Sequence, residues 1–144
     1  MQHPISLVRA LWTFNEDRSF CVSDSSKKDC PIVYCNAGFL SLTGYSMKEI
    51  IGKNCRFLQG AGTEESSRAR LRKGIKAKKT VVTVLKNYKK DGKPFWNRIT
   101  CAPMLSENSD TPRFIVGIQC VISAEEAVKL RAELDAEDLR EPSA

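Results

Sequence analysis

The segments 80-TVVTVLKNY-88, 94-PFWNRITCAPM-104 and 113-RFIVGIQCVI-122 decide the fold. All three are rich in β-branched and aromatic residues, which favour β-strands. Lys90-Asp91-Gly92 lies between the first two segments and is a hairpin turn signal. The polar stretch Glu107–Pro112 separates the second segment from the third and is predicted to be a loop. Together they predict a three-stranded antiparallel meander.

Shorter elements precede the meander, and a helix follows it. Capping boxes at Ser46–Glu49 and Ser123–Glu126 mark two helix starts. The predicted elements are strands over Arg18–Ser23 and Pro31–Cys35, and helices over Pro4–Phe14, Asn36–Thr43, Thr63 to about Ala77, and from Ala124 onward. This order predicts an α+β fold with helices beside an antiparallel sheet. We divide the chain into an N-terminal flanking helix (1–17), a core (18–123), and a C-terminal helix with its tail (124–144).

Both faces of the predicted meander are apolar, so both need cover. One face would carry Val81, Leu85, Phe95, Ile99, Ile115 and Val121. The other would carry Val82, Val84, Trp96, Phe114, Val116 and Ile118. The short helices can cover one face. We expect the terminal helices or a second copy of the chain to cover the other, with Ala127, Leu130 and Leu134 as one apolar stripe of the last helix.

Composition and charge exclude several classes of protein. The chain has 144 residues and a net charge of +6, with eleven basic residues and one acid between Arg68 and Lys93. Nucleic acid is an unfavoured partner because aromatic residues are not interleaved there as stacking platforms. The apolar runs are too short for a transmembrane helix, and the N-terminus lacks a secretory signal. We therefore expect an intracellular protein, cytoplasmic or nuclear.

The cysteines and the single histidine limit the chemistry further. Six cysteines occur without a Cys-x-x-Cys pair, and His3 is the only histidine. No set of four closely spaced ligands exists for zinc, so we expect no metal site. A reducing compartment favours free thiols. One terminal histidine also argues against a Ser/His/Asp or Cys/His catalytic unit.

Three amide side chains occupy odd-numbered positions of the meander: Asn87, Asn97 and Gln119. Side chains alternate along a strand, so even pairing of both hairpins would place all three on one face. Amides on an apolar surface suit the polar edge of a flat heterocycle, because each offers donors and an acceptor. The alternative is that they bond to the backbone, to each other or to water.

The segment 52-GKNCRFLQG-60 closely resembles the signature of light-oxygen-voltage (LOV) domains. These are the flavin-binding blue-light sensors within the PAS superfamily. The resemblance extends from about Phe20 to Ser123 and includes the Asn87-Tyr88, Phe95-Trp96-Asn97 and Gly117-Ile118-Gln119 segments. It implies a PAS/LOV fold, in which a five-stranded antiparallel sheet and short helices enclose a flavin.

The resemblance also implies a role for each matching residue. Cys55 would be the photoactive thiol that forms an adduct at flavin carbon C4a. Arg56 and Arg72 would bind a phosphate, which favours FMN over riboflavin. Gln119 would face flavin N5, and the remaining ring and ribityl contacts would come from Asn54, Gln59, Asn87 and Asn97. We interpret Arg68, Arg70 and Lys73 as a solvated helix face, and Cys30, Cys35, Cys101 and Cys120 as structural cysteines.

The resemblance implies a blue-light sensor without substrate turnover, so we do not expect an enzyme. Its signal would pass through the sheet to the flanking helices, to a homodimer interface or to an effector domain. One alternative is a flavin-binding PAS redox sensor without a productive photocycle. Cys21, Ser23, Ile99 and Ala61-Gly62 depart from common LOV usage. Because these positions lie near the ring in the family, they put the adduct lifetime in doubt.

Overall fold

The computed structural model describes residues 18–106 and 109–140. The strands are β1 (Ser19–Asp24), β2 (Ile32–Cys35), β3 (Val81–Tyr88), β4 (Pro94–Ser106) and β5 (Ser109–Ile122). The helices are α1 (Ala37–Thr43), α2 (Met47–Ile50), α3 (Glu65–Lys76) and α4 (Ala124–Arg140), with a 3-10 helix over Cys55–Leu58. The predicted helix over Pro4–Phe14 lies outside the described residues. The division into flanks and core stays a prediction.

The strands form one antiparallel sheet in the order β2-β1-β5-β4-β3. In the meander, Leu85 pairs with Asn97, and Ile99 pairs with Gln119. Both hairpins therefore pair in even register, which is the condition under which the odd-numbered side chains share one face. This result confirms the α+β, five-stranded architecture.

The prediction of a loop over Glu107–Pro112 is wrong in part. β5 begins at Ser109, and Ser106 of β4 pairs with Ser109. Pairing along the long β4–β5 hairpin overrides the weak strand preference of these polar residues. Every other described element that the sequence predicted lies within about two residues of its predicted bounds, which is the usual uncertainty at element ends. The 3-10 helix over Cys55–Leu58 was not predicted.

The odd-numbered face of the sheet packs against α3 and the short helices. Leu71 of α3 packs with Val81, Leu85 and Ile99. Phe39 of α1 and Ile50 of α2 belong to a second cluster, which reaches Leu58 of the 3-10 helix and Cys21 of β1. The two clusters leave the 3-10 helix and α3 facing each other across this side of the sheet.

The even-numbered face carries α4 over β3 and β4. Ala127, Leu130 and Leu134 pack against a cluster that contains Val84, Trp96 and Ile122. The predicted capping box starts this helix, because Glu126 N donates to Ser123 Oγ at 3.0 Å. Val121 departs from its predicted core position: it lies one residue from the end of β5 and is 55% exposed.

The two edge strands make polar contacts outside the sheet. On the β2 edge, Ile32 N donates to Lys53 O at 2.8 Å, and Gly52 N donates to Ile32 O at 2.9 Å. On the β3 edge, Arg70 Nε donates to Val82 O at 2.8 Å. Among the described residues, no helix is both long and apolar enough to cross a membrane.

Candidate functional site

A cavity of about 290 Å³ lies between the 3-10 helix, α3 and the odd-numbered face of the sheet. Its apolar wall includes Leu71, Ile99 and Ile115. Five of the eight predicted site residues also line it: Asn54, Cys55, Arg56, Gln59 and Arg72. The structure therefore brings an aliphatic surface, amides, a thiol and guanidinium groups around one space.

Asn54 organises the segment that carries the predicted photoactive cysteine. Its Oδ1 accepts from Arg56 N at 2.9 Å and caps the 3-10 helix. Its Nδ2 donates to Asp29 O at 2.8 Å and ties the helix to the β1–β2 loop. Cys55 is the first residue of the helix and is half-buried. Burial raises the pKa of its thiol to about 11, so the group is protonated at neutral pH.

The two arginines predicted to bind phosphate are each paired with an acid. Arg56 forms a two-pronged ion pair with Asp29, in which Nη1 donates to Oδ1 at 2.7 Å. This contact lowers the pKa of Asp29 below its ordinary range. Arg72 pairs with Glu65 and likewise lowers the pKa of that carboxyl. Both arginines are exposed and line the cavity, so a ligand anion could compete with these carboxylates for them.

Arg68 was predicted to lie on a solvated helix face, and that prediction is wrong. It lines the cavity, and its Nη2 donates to Gly60 O at 3.2 Å. Its Nε is buried without a hydrogen-bond partner, which is costly for a charged group. The four-residue spacing of Arg68 and Arg72 on a helix places them on one face, so this signal was present in the sequence.

Arg70 was also predicted to be solvated, and this prediction is wrong too. Its side chain is only 16% exposed and reaches across the β3 edge to α4. There it pairs with Glu137 and Asp138. Because the β3 edge separates the two helices, only the folded arrangement reveals this contact. Lys73 is exposed, as predicted.

The three meander amides are buried on the predicted face but do not line the cavity. Asn97 Nδ2 donates to Asn87 Oδ1 at 2.9 Å, so these two amides partly satisfy each other. Asn97 Oδ1 accepts from Cys120 N at 3.1 Å. A β-bridge joins Asn87 to Gln59, which does line the cavity. The alternative, in which the amides bond to each other and to the backbone, therefore describes Asn87 and Asn97.

Gln119 lies just behind the cavity wall. Its Oε1 accepts from Ser19 Oγ at 2.8 Å, and its Nε2 donates to Gly117 O at 3.3 Å. Gly117 and Cys21 line the cavity, and Gln119 Nε2 lies 3.9 Å from Cys21 Sγ. Both ends of the amide are thus engaged beside the cavity wall.

Three further cysteines line the cavity: Cys21, Cys30 and Cys101. Burial raises the pKa of Cys101 to about 12 and raises those of Cys21 and Cys30 as well. Cys30 and Cys101 were interpreted only as structural, and sequence spacing gave no sign that the fold gathers them beside Cys55. Cys35 and Cys120 do not line this cavity.

Comparison with known proteins places this site in a family. A PAS domain model matches residues 17–120. The chain is 45% identical over 115 residues to blue-light-activated histidine kinase 1 of Erythrobacter litoralis, covering 80% of this chain. A LOV-domain structure described as a flavin-analogue study of LOV mechanism superposes with a TM-score of 0.85 and 39% identity. That match covers 92% of this chain and 96% of the other. This chain is a LOV domain of the PAS family.

Other relatives of this LOV domain are also named as light receptors. It is 43% identical over 106 residues to phototropin-2 of Oryza sativa subsp. japonica, covering 74% of this chain. The light-state Aureochrome1 LOV structure superposes with a TM-score of 0.79 and 37% identity, covering 90% of this chain and 98% of that one. The LOV domain spans only 32% of the kinase and 12% of the phototropin. It therefore corresponds to one segment of each of these longer proteins. The similar LOV structures, among them the flavin-analogue study, imply a flavin chromophore.

Proposed function

We propose that this LOV domain binds FMN in the 290 Å³ cavity and senses blue light through a reversible bond between Cys55 Sγ and flavin carbon C4a. The observation that carries this proposal is the position of Cys55, half-buried on a cavity wall that also carries apolar side chains, amides and three arginines. This arrangement fits a flat apolar ring system with a polar edge and an anionic tail. No substrate turnover is required, so the domain acts as a sensor rather than an enzyme.

The arginine cluster supports FMN as the flavin. Arg56, Arg68 and Arg72 line one part of the cavity, and the buried Arg68 Nε has no hydrogen-bond partner among the described residues. A phosphate supplies acceptors for such donors and can replace the carboxylates of Asp29 and Glu65. Riboflavin carries no phosphate and so offers no negative charge to pair with these guanidinium groups. A flavin phosphate therefore gives the most complete account of this cluster.

Each chemical group near the ring then has a defined task. The bound flavin supplies blue-light absorption and an electrophilic carbon. Cys55 supplies the thiol and its proton, and its pKa of about 11 keeps that proton in place at neutral pH. Asn54 fixes the helix that carries Cys55, while Gln59, Asn87 and Asn97 form a linked amide row beside the cavity. The ring and ribityl contacts are assigned to these amides.

Gln119 connects this chemistry to the surface. Its amide can rotate and exchange oxygen for nitrogen, so it would be able to answer a change in the hydrogen bonding of a bound flavin. Rotation would break the contacts with Ser19 and Gly117, and Gln119 lies only five residues before α4 begins. We assign α4, or a partner docked on the same face, as the receiver of the signal. A second copy or an effector domain in an intracellular protein is the expected partner.

The decisive experiment is the absorbance spectrum of purified protein before and after blue light. Wild type should contain flavin, bleach reversibly and recover in darkness. Cys55→Ala should keep the flavin and lose the reversible bleaching, whereas the off-cavity control Cys120→Ala should behave like wild type. Bleaching that survives Cys55→Ala would disprove the role of Cys55. Flavin binding without bleaching in wild type would favour the redox-sensor alternative.

A paired titration tests the choice of flavin. Arg56→Gln and Arg72→Gln should each weaken FMN binding by about tenfold or more, since a charge-assisted hydrogen bond contributes roughly 1.5–3 kcal/mol. Riboflavin binding should change less, because riboflavin carries no phosphate. Equal losses for the two ligands would show that these arginines only support the fold.

A further inference from the structure

Two segments of the chain meet beside the cavity, and each carries one thiol. Ile32 N donates to Lys53 O at 2.8 Å, and three residues earlier Asp29 is joined by its carboxylate to Arg56. Cys30 lies between Asp29 and Ile32 on the first segment. On the second segment, Cys55 lies between Lys53 and Arg56, in the matching place. The two contacts therefore bracket Cys30 and Cys55 as neighbours.

The exposure of these two thiols distinguishes them from the other thiols of the cavity. Both line the cavity and both are half-buried, whereas Cys21 and Cys101 are buried. Asp29 and Cys30 have positive φ angles of 65° and 47°, which turn the loop sharply at this point. A reagent that enters the cavity can thus reach Cys30 and Cys55 while the loop holds them side by side.

We propose that Cys30 and Cys55 are a redox-active thiol pair that a hydroperoxide converts into a disulfide. Asp29 and Asn54, the residues that precede the two cysteines, are joined by the hydrogen bond from Asn54 Nδ2 to Asp29 O at 2.8 Å, so the thiols lie on adjoining stretches of chain. A disulfide needs about 3.5–4.5 Å between the Cβ atoms, which requires a shift of the loop toward the 3-10 helix. The loop that carries Cys30 is held to the 3-10 helix chiefly by the Asp29–Arg56 ion pair and the Asn54 bond, so it can make this shift.

The reaction balances with hydrogen peroxide as the two-electron oxidant. The thiolate of one cysteine attacks a peroxide oxygen, the O–O bond breaks, and a sulfenic acid and one water form. The second thiol then attacks the sulfenic sulfur, an S–S bond forms, and a second water leaves. Two thiols are oxidised, and one peroxide is reduced to two waters. A dithiol reductant reverses the change.

Because both thiols have a raised pKa, the pair reacts slowly with peroxide and is not constantly oxidised. Burial raises the pKa of Cys55 to about 11, and burial together with Asp24 and Asp29 raises that of Cys30. Only the thiolate attacks peroxide, so the rate should rise about tenfold per pH unit below these pKa values. At neutral pH the pair stays reduced until exposure to peroxide is prolonged.

The disulfide would block the light response, because it occupies the sulfur that the photoreaction uses. This consequence rests on the proposed function, whereas formation of the disulfide does not require the flavin. Peroxide would thus convert a light-responsive domain into a light-silent one, and a thiol reductant would restore it.

The test uses the full chain as purified, kept in darkness and treated with hydrogen peroxide. Remaining thiols are alkylated, and non-reduced peptides are mapped by mass spectrometry. Wild type should yield a Cys30–Cys55 cross-link and lose two alkylatable thiols, and dithiothreitol should restore both. Cys30→Ser should abolish the cross-link, while Cys120→Ser, a matched half-buried control outside the cavity, should leave it unchanged. Bleaching is recorded on the same samples.

The outcomes separate this inference from the proposed function. Alkylatable Cys30 and Cys55 after peroxide treatment, or a cross-link from Cys55 to Cys21 or Cys101 instead, would overturn the pair. Light-silent wild type that still forms the Cys30–Cys55 cross-link would overturn the proposed function alone. Loss of bleaching in step with cross-linking, with bleaching retained in peroxide-treated Cys30→Ser, would support both.

Discussion

Helices α3 and α4 lie on opposite faces of the sheet and are held there in different ways. α3 places Leu71 in a core cluster with strands β3 and β4, and it forms one wall of the cavity. α4 covers the other face with Ala127, Leu130 and Leu134. Its ion pairs lead back to α3. The wall of the site is thus part of the core, whereas α4 is an attached element.

Ion pairs across the β3 edge join the two helices. Arg70 reaches Glu137 and Asp138, and Arg131 of α4 pairs with Glu64 at the start of α3. The Arg131 guanidinium also lies 5.1 Å from the centre of the Trp96 ring. Such contacts weaken in salt and orient a helix more than they stabilise it. We therefore expect that α4 can change its docking without disturbing the cavity.

Truncating one leucine in each helix should give the largest difference between α3 and α4. Leu71→Ala should lower the free energy of unfolding by about 2–5 kcal/mol and weaken flavin binding, because it leaves a hole in the core. Leu134→Ala should act mainly on α4, since undocking limits the cost that reaches the rest of the fold. Chemical denaturation measures the first effect, and amide hydrogen exchange of residues 124–140 measures the second. Equal losses of global stability would show that α4 is part of the same cooperative unit.

A smaller effect is expected from the ion pairs. Arg70→Met keeps the aliphatic stem but removes bonds to α4 and to Val82 O, so exchange in residues 124–140 should rise roughly tenfold. Raising the salt concentration should loosen α4 in wild type and change the variant less. Glu64→Gln removes one ion pair between the helices, whereas Arg70→Met removes two, so it serves as a control with a smaller increase. Unchanged exchange in Arg70→Met would mean that the apolar contacts alone dock α4.

The smallest effect is a pH dependence outside both helices. The Ser46 backbone N–H and then Lys90 lower the pKa of Glu49 from its ordinary 4.5 to about 2. A carboxyl whose pKa is depressed in the folded state adds stability above its unfolded pKa and loses it as pH falls. Glu49→Gln should therefore flatten the loss of stability between about pH 4.5 and 2, measured by thermal melts. A slope equal to that of wild type would assign the acid sensitivity to other carboxylates.

The sequence predicts the strand faces and helix starts, because these features depend on local sequence pattern. Alternation along the strands predicts that Asn87, Asn97 and Gln119 share a face if the hairpins pair in even register, and the structure has that register. Capping chemistry located the helix that begins after Ser123. Both features depend on residues close in sequence or on strand periodicity.

The positions of the remaining side chains at the site depend on which elements meet in space. Arg68 and Arg70 are two positions apart on one helix, yet one faces the cavity and the other crosses a sheet edge to α4. Nothing in the α3 segment alone says where that edge lies. The same holds for Cys30, which reaches the cavity only because the fold sets the β1–β2 loop beside the 3-10 helix.

The contacts along the two sheet edges also restrict how copies of this domain can assemble. At β2, the main-chain groups of Ile32 are already bonded to Gly52 and Lys53. At β3, Arg70 takes the carbonyl of Val82, and Thr63 takes that of Lys86. An open edge would invite another chain to add a strand, but these main-chain groups are already bonded. A second chain that extended the sheet at these positions would first have to displace the Lys53, Arg70 and Thr63 contacts, which disfavours this mode of assembly.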